Sequence, residues 1–151
     1  LEALNNSGRP VILSVGMCTD EEVHAAVNIL DNVEYILACT STYPTKEEEI
    51  NLNYITTLKD KYPHLKVGFS NHYSGFAALM GATSLGSECL EFHITKDRTM
   101  YGSDQIASIE SVNELMVNIR KIEIMLGDGV KTVYGSEVPI AKKLRKVNNI
   151  V

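Results

Sequence analysis

Short apolar runs alternate with amphipathic stretches along most of this chain. The apolar runs are Pro10 to Val15, Val33 to Thr40, Lys66 to Ser70 (continuing to His72) and Glu88 to His93, each of strand length. Between them, apolar residues recur at helical spacing: Val23, Ala26, Val27 and Leu30, then Ile50, Tyr54, Ile55 and Leu58. That period gives a helix one buried face. The stretch Ser74 to Leu85 is small on most sides, with Gly75, Ala77, Ala78, Gly81 and Ala82, which suits close packing on a sheet. Three helix starts carry a hydroxyl followed three residues later by Glu: Thr19 with Glu22, Thr45 with Glu48, and Ser111 with Glu114. This spacing predicts capping boxes for the first two and a cap for the last. The final long helix is expected to stop at Gly127-Asp128-Gly129, with a weak short helix around Ile140 to Arg145. Leu1 to Asn6 reads as the tail of a helix ended by Ser7-Gly8, so more chain is expected upstream.

Strand then helix, four times over, predicts right-handed crossovers and a parallel sheet. The strands are nearly all apolar, as when both faces of a sheet are covered. Four βα units make an α/β fold equal to half of a TIM-type (β/α)8 barrel. A small flavodoxin-like sheet and a half-barrel pairing with a second chain are the alternatives. No Gly-x-Gly-x-x-Gly or P-loop pattern supports a nucleotide-binding doubly wound domain.

Composition narrows the class. A chain of 151 residues with 44% hydrophobic content can bury a sizeable core. A net charge of -5 argues against nucleic acid as a partner. The basic cluster Lys142, Lys143, Arg145 and Lys146 reads as a solvated helix face. No apolar run approaches the ~20 residues of a membrane span, and no signal peptide is evident. Cys18, Cys39 and Cys89 are an odd, unpaired set that suits a reducing compartment, so a cytoplasmic location is expected. Cys39 and Cys89 read as small buried thiols, and Cys18 follows a strand end.

The chemistry gathers at strand ends. His72 and His93 each close a strand, one βα unit apart. Parallel neighbours would bring both imidazoles to the carboxyl edge of the sheet, where α/β enzymes build their sites. Two neutral imidazoles there could hold one divalent metal. Glu91, two residues before His93 and on its side of the strand, could fix an imidazole's tautomer. Asp104, in the long loop from Thr95 to Ser108, could also complete or support the site. Ser14, Thr40, Ser41, Tyr43, Ser70 and Asn71 add hydroxyls and amides at the same rim, suited to an oxyanion. A helix starting near Ser74-Gly75 would add backbone N–H donors. Helix capping is the plainer reading of any single Ser or Thr.

Several stretches, in order, resemble the sialic acid synthase family, which includes N-acetylneuraminate, legionaminate and pseudaminate synthases. They are Pro10 to Met17, Cys39 to Thr45, Gly68 to His72, Glu91 to Thr95, Met100 to Asp104 and Ala107 to Glu110. The resemblance implies the second half of a (β/α)8 barrel over residues 1–129, followed by a tail or linker over 130–151. It implies condensation of phosphoenolpyruvate with an N-acetylated aldose such as N-acetylmannosamine, giving a nonulosonic acid and phosphate. It implies Mn2+ or Mg2+ held by His72 and His93; Glu91, from its position on the strand, is expected beside them in the catalytic group. Ser14, Ser41 and Ser70 would contact phosphoenolpyruvate; Tyr43 and Asp104 would contact the sugar. A homo-oligomer, a dimer, is expected. The first half of such a barrel would carry the donor-binding lysines, so the chain alone is expected to be inactive.

Three departures from the family pattern stand out: Asn71 in Ser70-Asn71-His72, Phe92 in Glu91-Phe92-His93, and Ser103 in Gly102-Ser103-Asp104. The first two remove a carboxylate and a cation together, a compensating change expected to bear on the acceptor sugar. Two rivals remain at this level: a non-catalytic half-barrel that binds an acidic sugar or a protein, and a Schiff-base aldolase, for which Lys96 is the strand-end lysine.

Overall fold

The computed structural model describes residues 1–102 and 104–145, so Ser103 and Lys146 lie outside the described residues. The elements are α1 (Glu2–Asn5), β1 (Val11–Ser14), α2 (Asp20–Ile29), β2 (Val33–Cys39), α3 (Tyr54–Lys61), β3 (Lys66–Asn71), α4 (Ala77–Ser84), β4 (Leu90–Phe92), α5 (Val112–Leu126) and α6 (Val138–Leu144). No helix among them is long and apolar enough to cross a membrane.

The four strands are parallel and stand in the order β1-β2-β3-β4. A doubly wound sheet reverses its strand order at a switch point and carries helices on both faces. Here the order never reverses, which excludes the flavodoxin-like alternative. The core lies on one face only: Ile36, Ala38, Val67 and Phe69 pack with Ile55 and Leu58 of α3, Leu79 of α4 and Leu115 of α5. One-sided helices over consecutive parallel strands make a half-barrel. Alternation sends Ile12, Ser14, Cys39, Ser70, Cys89 and Glu91 to the other face, the inside of the barrel wall. That face is open: Ile12 is 58% exposed, and a groove of about 530 Å³ runs past Ile12, Ser14, Leu37, Cys89 and Glu91. The expectation of strands covered on both faces therefore holds for one face only.

The helix starts divide. Thr19 forms the expected capping box: its hydroxyl accepts from the Glu22 N–H at 3.3 Å, and Glu22 Oε2 accepts from the Thr19 N–H at 2.7 Å. Ser111 accepts from the Glu114 N–H, which is half a box. Thr45 does not cap a helix. Residues Glu47–Glu49 form a single 3-10 turn, Asn51 takes a left-handed φ of 50°, and α3 begins only at Tyr54. Thr45 is instead buried, its hydroxyl turned back on Thr40 and Thr42. The helix expected from Ser74 starts at Ala77, after Gly75 at φ 94°, so Ser74-Gly75 is loop and offers no helix N-terminus. Both delays have one cause. The residues between strand and helix are spent on the loops that carry the rim.

Candidate metal centre at the strand ends

β3 and β4 are hydrogen-bonded neighbours, with Ser70 opposite Glu91 and Asn71 opposite Phe92. His72 and His93 therefore leave the sheet side by side. Their ring centroids are 5.3 Å apart and nearly perpendicular, at 86°. Tyr43, from the loop after β2, lies edge-on to His72 at 4.5 Å and stacks near His93 at 6.4 Å. His72 is buried, whereas Tyr43 and the His93 side chain are nearly half exposed. The cluster is thus rooted in the protein and open on one side.

The third member comes from far along the chain. After β4, the segment Ala107-Ser108-Ile109 returns alongside the strand end and is fully buried. The Ile109 N–H donates to the His93 carbonyl at 2.8 Å, and the Thr95 N–H donates to the Ile109 carbonyl at 3.0 Å. The Ser108 N–H and hydroxyl both donate to the Asp104 carbonyl, at 3.0 and 2.6 Å. These bonds hold Asp104 over the imidazoles. One ligand atom each from His72, His93 and Asp104 lie within 4.8 Å of one another.

The electrostatics of Asp104 are unusual for a carboxylate at rest. Both of its oxygens are buried without a hydrogen-bond donor. His93 Nδ1 lies 3.1 Å from Oδ2, close enough for an ion pair but without the alignment of a hydrogen bond. Burial pushes the Asp104 carboxyl above its ordinary value, opposed by the nearby His93 and His72. An ionised carboxylate left this way costs several kcal/mol. A divalent cation bound between it and the imidazoles would offset that cost. The donor set, two imidazoles and a carboxylate, fits such an ion.

His72 is set for that task. Its Nδ1 lies 3.1 Å from the Thr40 carbonyl. A carbonyl can only accept, so this contact calls for the tautomer with its proton on Nδ1, which leaves Nε2 as the ligand atom. The Cys39 thiol adds a second neighbour, 3.8 Å from Nδ1, and touches Ser41 Oγ at 3.4 Å. Backbone approaches closely here: a side chain on Gly16 would collide with the Ser41 hydroxyl and come within 2.9 Å of Cys39 Sγ.

The other sequence-derived residues fall at graded distance. Ser41 adjoins Cys39 and lies next to the cluster. Ser70 is buried on the inner face, two residues below His72. Ser14 is exposed at the end of β1, opposite Leu37. Glu91 is exposed in the inner groove and, among the described residues, makes no hydrogen bond to either imidazole. Asn71 and Phe92 are register partners on the helix side. Asn71 bonds the Tyr73 backbone in both senses, and Phe92 packs on the core. Both departures thus lie on the outer wall, away from the inner groove. Lys96 is exposed, so it lacks the burial a Schiff-base lysine needs. Cys18 is exposed too, its thiol resting on the Gly16 carbonyl. Sequence reasoning missed the Thr40 carbonyl, since a backbone atom leaves no trace in a motif.

Comparisons with known proteins bear on the family and the fold. The human N-acetylneuraminate-9-phosphate synthase is 36% identical over 97% of this chain, which spans 42% of that protein. The N,N'-diacetyllegionaminic acid synthase of Legionella pneumophila is 35% identical over 91% of this chain and 41% of its own length. A crystal structure of N-acetylneuraminic acid synthetase from Leptospira borgpetersenii, in complex with citrate, superposes with a TM-score of 0.80 at 34% identity, over 97% of this chain and 54% of that one. The chain thus spans about half the length of these relatives. The NeuB family model matches residues 1–131, and on that match, with these relatives beside it, the chain belongs to the NeuB family.

Proposed function

We propose that this chain is the metal-bearing half of a synthase site that joins phosphoenolpyruvate to an N-acetylated aldose; relatives named as N-acetylneuraminate-9-phosphate and N,N'-diacetyllegionaminic acid synthases support the synthase part of this reading. The observation that carries the reading is the convergence of His72, His93 and the donor-less carboxylate of Asp104. These three would hold Mn2+ or Mg2+, and two nitrogen donors favour Mn2+ over the harder Mg2+. Bound there, the ion supplies a Lewis acid for the aldehyde carbonyl of the open-chain sugar. Tyr43, half exposed beside both imidazoles, forms a wall against which the sugar lies.

Hydroxyls of Ser14, Ser41 and Ser70 donate to the anionic phosphoenolpyruvate and set its C3 toward the aldehyde carbon. Glu91 lines the groove on the same wall, and its carboxylate would lie below the reacting pair. The bond formed joins C3 of phosphoenolpyruvate to the aldehyde carbon; water adds at C2, and the C2–oxygen bond to phosphate breaks. The products are a nonulosonic acid and inorganic phosphate. Because the inner face is open, the remaining wall, with cations for the phosphate, comes from other strands. We include in the proposal that an oligomer, a dimer, forms, that the chain alone does not turn over, and that the enzyme works in the cytoplasm.

The test supplies the chain with the part of the Legionella synthase that it does not match, then adds Mn2+, [3-13C]phosphoenolpyruvate and N-acetylmannosamine or a diacetylated aldose. A new 13C methylene resonance with equimolar phosphate is expected, absent from His72→Ala and His93→Ala. Undiminished turnover in either variant would overturn the assignment.

A further inference from the structure

Thr45 matched a helix-capping pattern, and the fold gives it another position. It is 95% buried, since its relative exposure is 5%, and it caps neither the 3-10 turn at Glu47–Glu49 nor α3. Its backbone N–H donates to the His72 carbonyl at 2.8 Å. Its hydroxyl lies 3.1 Å from the Thr40 carbonyl and 3.0 Å from the Thr42 carbonyl. The Thr40 carbonyl is also the acceptor at His72 Nδ1, at 3.1 Å. One side chain therefore closes a ring: Thr45 to His72 through the backbone, His72 to Thr40 through the imidazole, and Thr40 back to Thr45 through the hydroxyl. Tyr43, lying on His72, sits inside the strapped segment.

We infer that Thr45 is a positioning residue: its hydroxyl pins the Thr40 carbonyl so that His72 keeps its proton on Nδ1 and presents Nε2. The inference rests on the metal-site reading but concerns the ring orientation, which exists without metal. A hydroxyl has a single proton to donate, so it holds Thr40 and Thr42 in turn or by a shared bond, and either way the 40–45 turn is closed. Valine has the same shape and lacks the donor, and it leaves the Thr45 N–H bond to His72 in place. Groups that orient a metal-ligating histidine affect affinity by roughly 10- to 100-fold.

The experiment reads the His72 tautomer in the whole 151-residue chain by two-bond 1H–15N NMR, without metal, and then the Mn2+ affinity by water-proton relaxation. The wild-type ring is expected as the Nδ1–H tautomer; the Nε2–H form would overturn the inference at once. Thr45→Val is expected to mix the tautomers and weaken Mn2+ binding about tenfold, and Thr45→Ser to restore both. Wild-type tautomer and affinity in a folded Thr45→Val would overturn it. If the valine variant does not fold, the wild-type tautomer and the serine variant still decide: serine with a mixed tautomer contradicts the role of the hydroxyl. If wild-type protein binds no Mn2+, the metal reading fails, while the tautomer data still test Thr45.

Discussion

Phe69 and Ser70 are consecutive in β3 and face opposite sides of the sheet. Phe69 joins the apolar cluster under α3, α4 and α5. Ser70 belongs to the inner wall that ends in His72. The helix side is closed and apolar. The inner side is open, mixes Ile12 with Ser14, Cys39 and Glu91, and carries its polar groups upward to the rim. The same strands thus give one set of alternate residues to the core and the other to the inner wall. Asn71 and Phe92 pair on the outer side, away from the two histidine rings.

Substitutions on the two faces should separate these roles. The largest effect belongs to the closed side. Leu58 and Leu79 are fully buried, and Leu58→Ala or Leu79→Ala is expected to cost ~2–5 kcal/mol in urea unfolding. A loss below about 1 kcal/mol would show that this half-barrel is packed far more loosely than its core implies.

The next effect belongs to Asp104 and has a sign that depends on pH. Burial raises its carboxyl above the ordinary value, so the folded chain holds that proton more tightly than the unfolded one. The contribution to stability is fullest below the unfolded value and is lost as pH rises through the raised folded value. In its ionised form this carboxylate has no hydrogen-bond donor among the described residues. Asp104→Asn is therefore expected to raise the thermal midpoint at pH 7, with the gain shrinking toward pH 4, while Mn2+ binding weakens. A lower midpoint at pH 7 would mean that the carboxylate is already satisfied by protein groups.

The smallest effect on stability belongs to the open side. Ser14 is exposed and makes no side-chain hydrogen bond among the described residues. Ser14→Ala should leave unfolding within ~0.5 kcal/mol and yet raise the phosphoenolpyruvate KM of the complemented assembly. An unchanged KM would remove Ser14 from the donor site.

Much of this was legible in the sequence. The apolar runs and the helical periods place all four strands and the helices between them, and strand-end position alone brings His72 and His93 together. Thr19 and Glu22 cap as their spacing implies. Thr45 and Glu48 share that spacing and do not, because the chain after β2 is diverted into a loop that braces His72. Tertiary contacts outweighed a local pattern there. Asp104 was a candidate from its loop and its motif. Its place over the imidazoles depends on the Ile109–His93 backbone bridge, a pairing between segments that no periodicity signals. The openness of the inner face was equally hidden, since Ile12 and Leu13 look alike in sequence and differ only in which side of the sheet they meet.

The central claim is that the two strand-end histidines bind one metal ion together. Mn2+ added to the chain and examined by pulsed electron paramagnetic resonance tests it most directly. 14N couplings from two imidazoles are expected, reduced to one in His72→Ala and in His93→Ala. Bound Mn2+ without nitrogen coupling, or a spectrum unchanged in both variants, would contradict it.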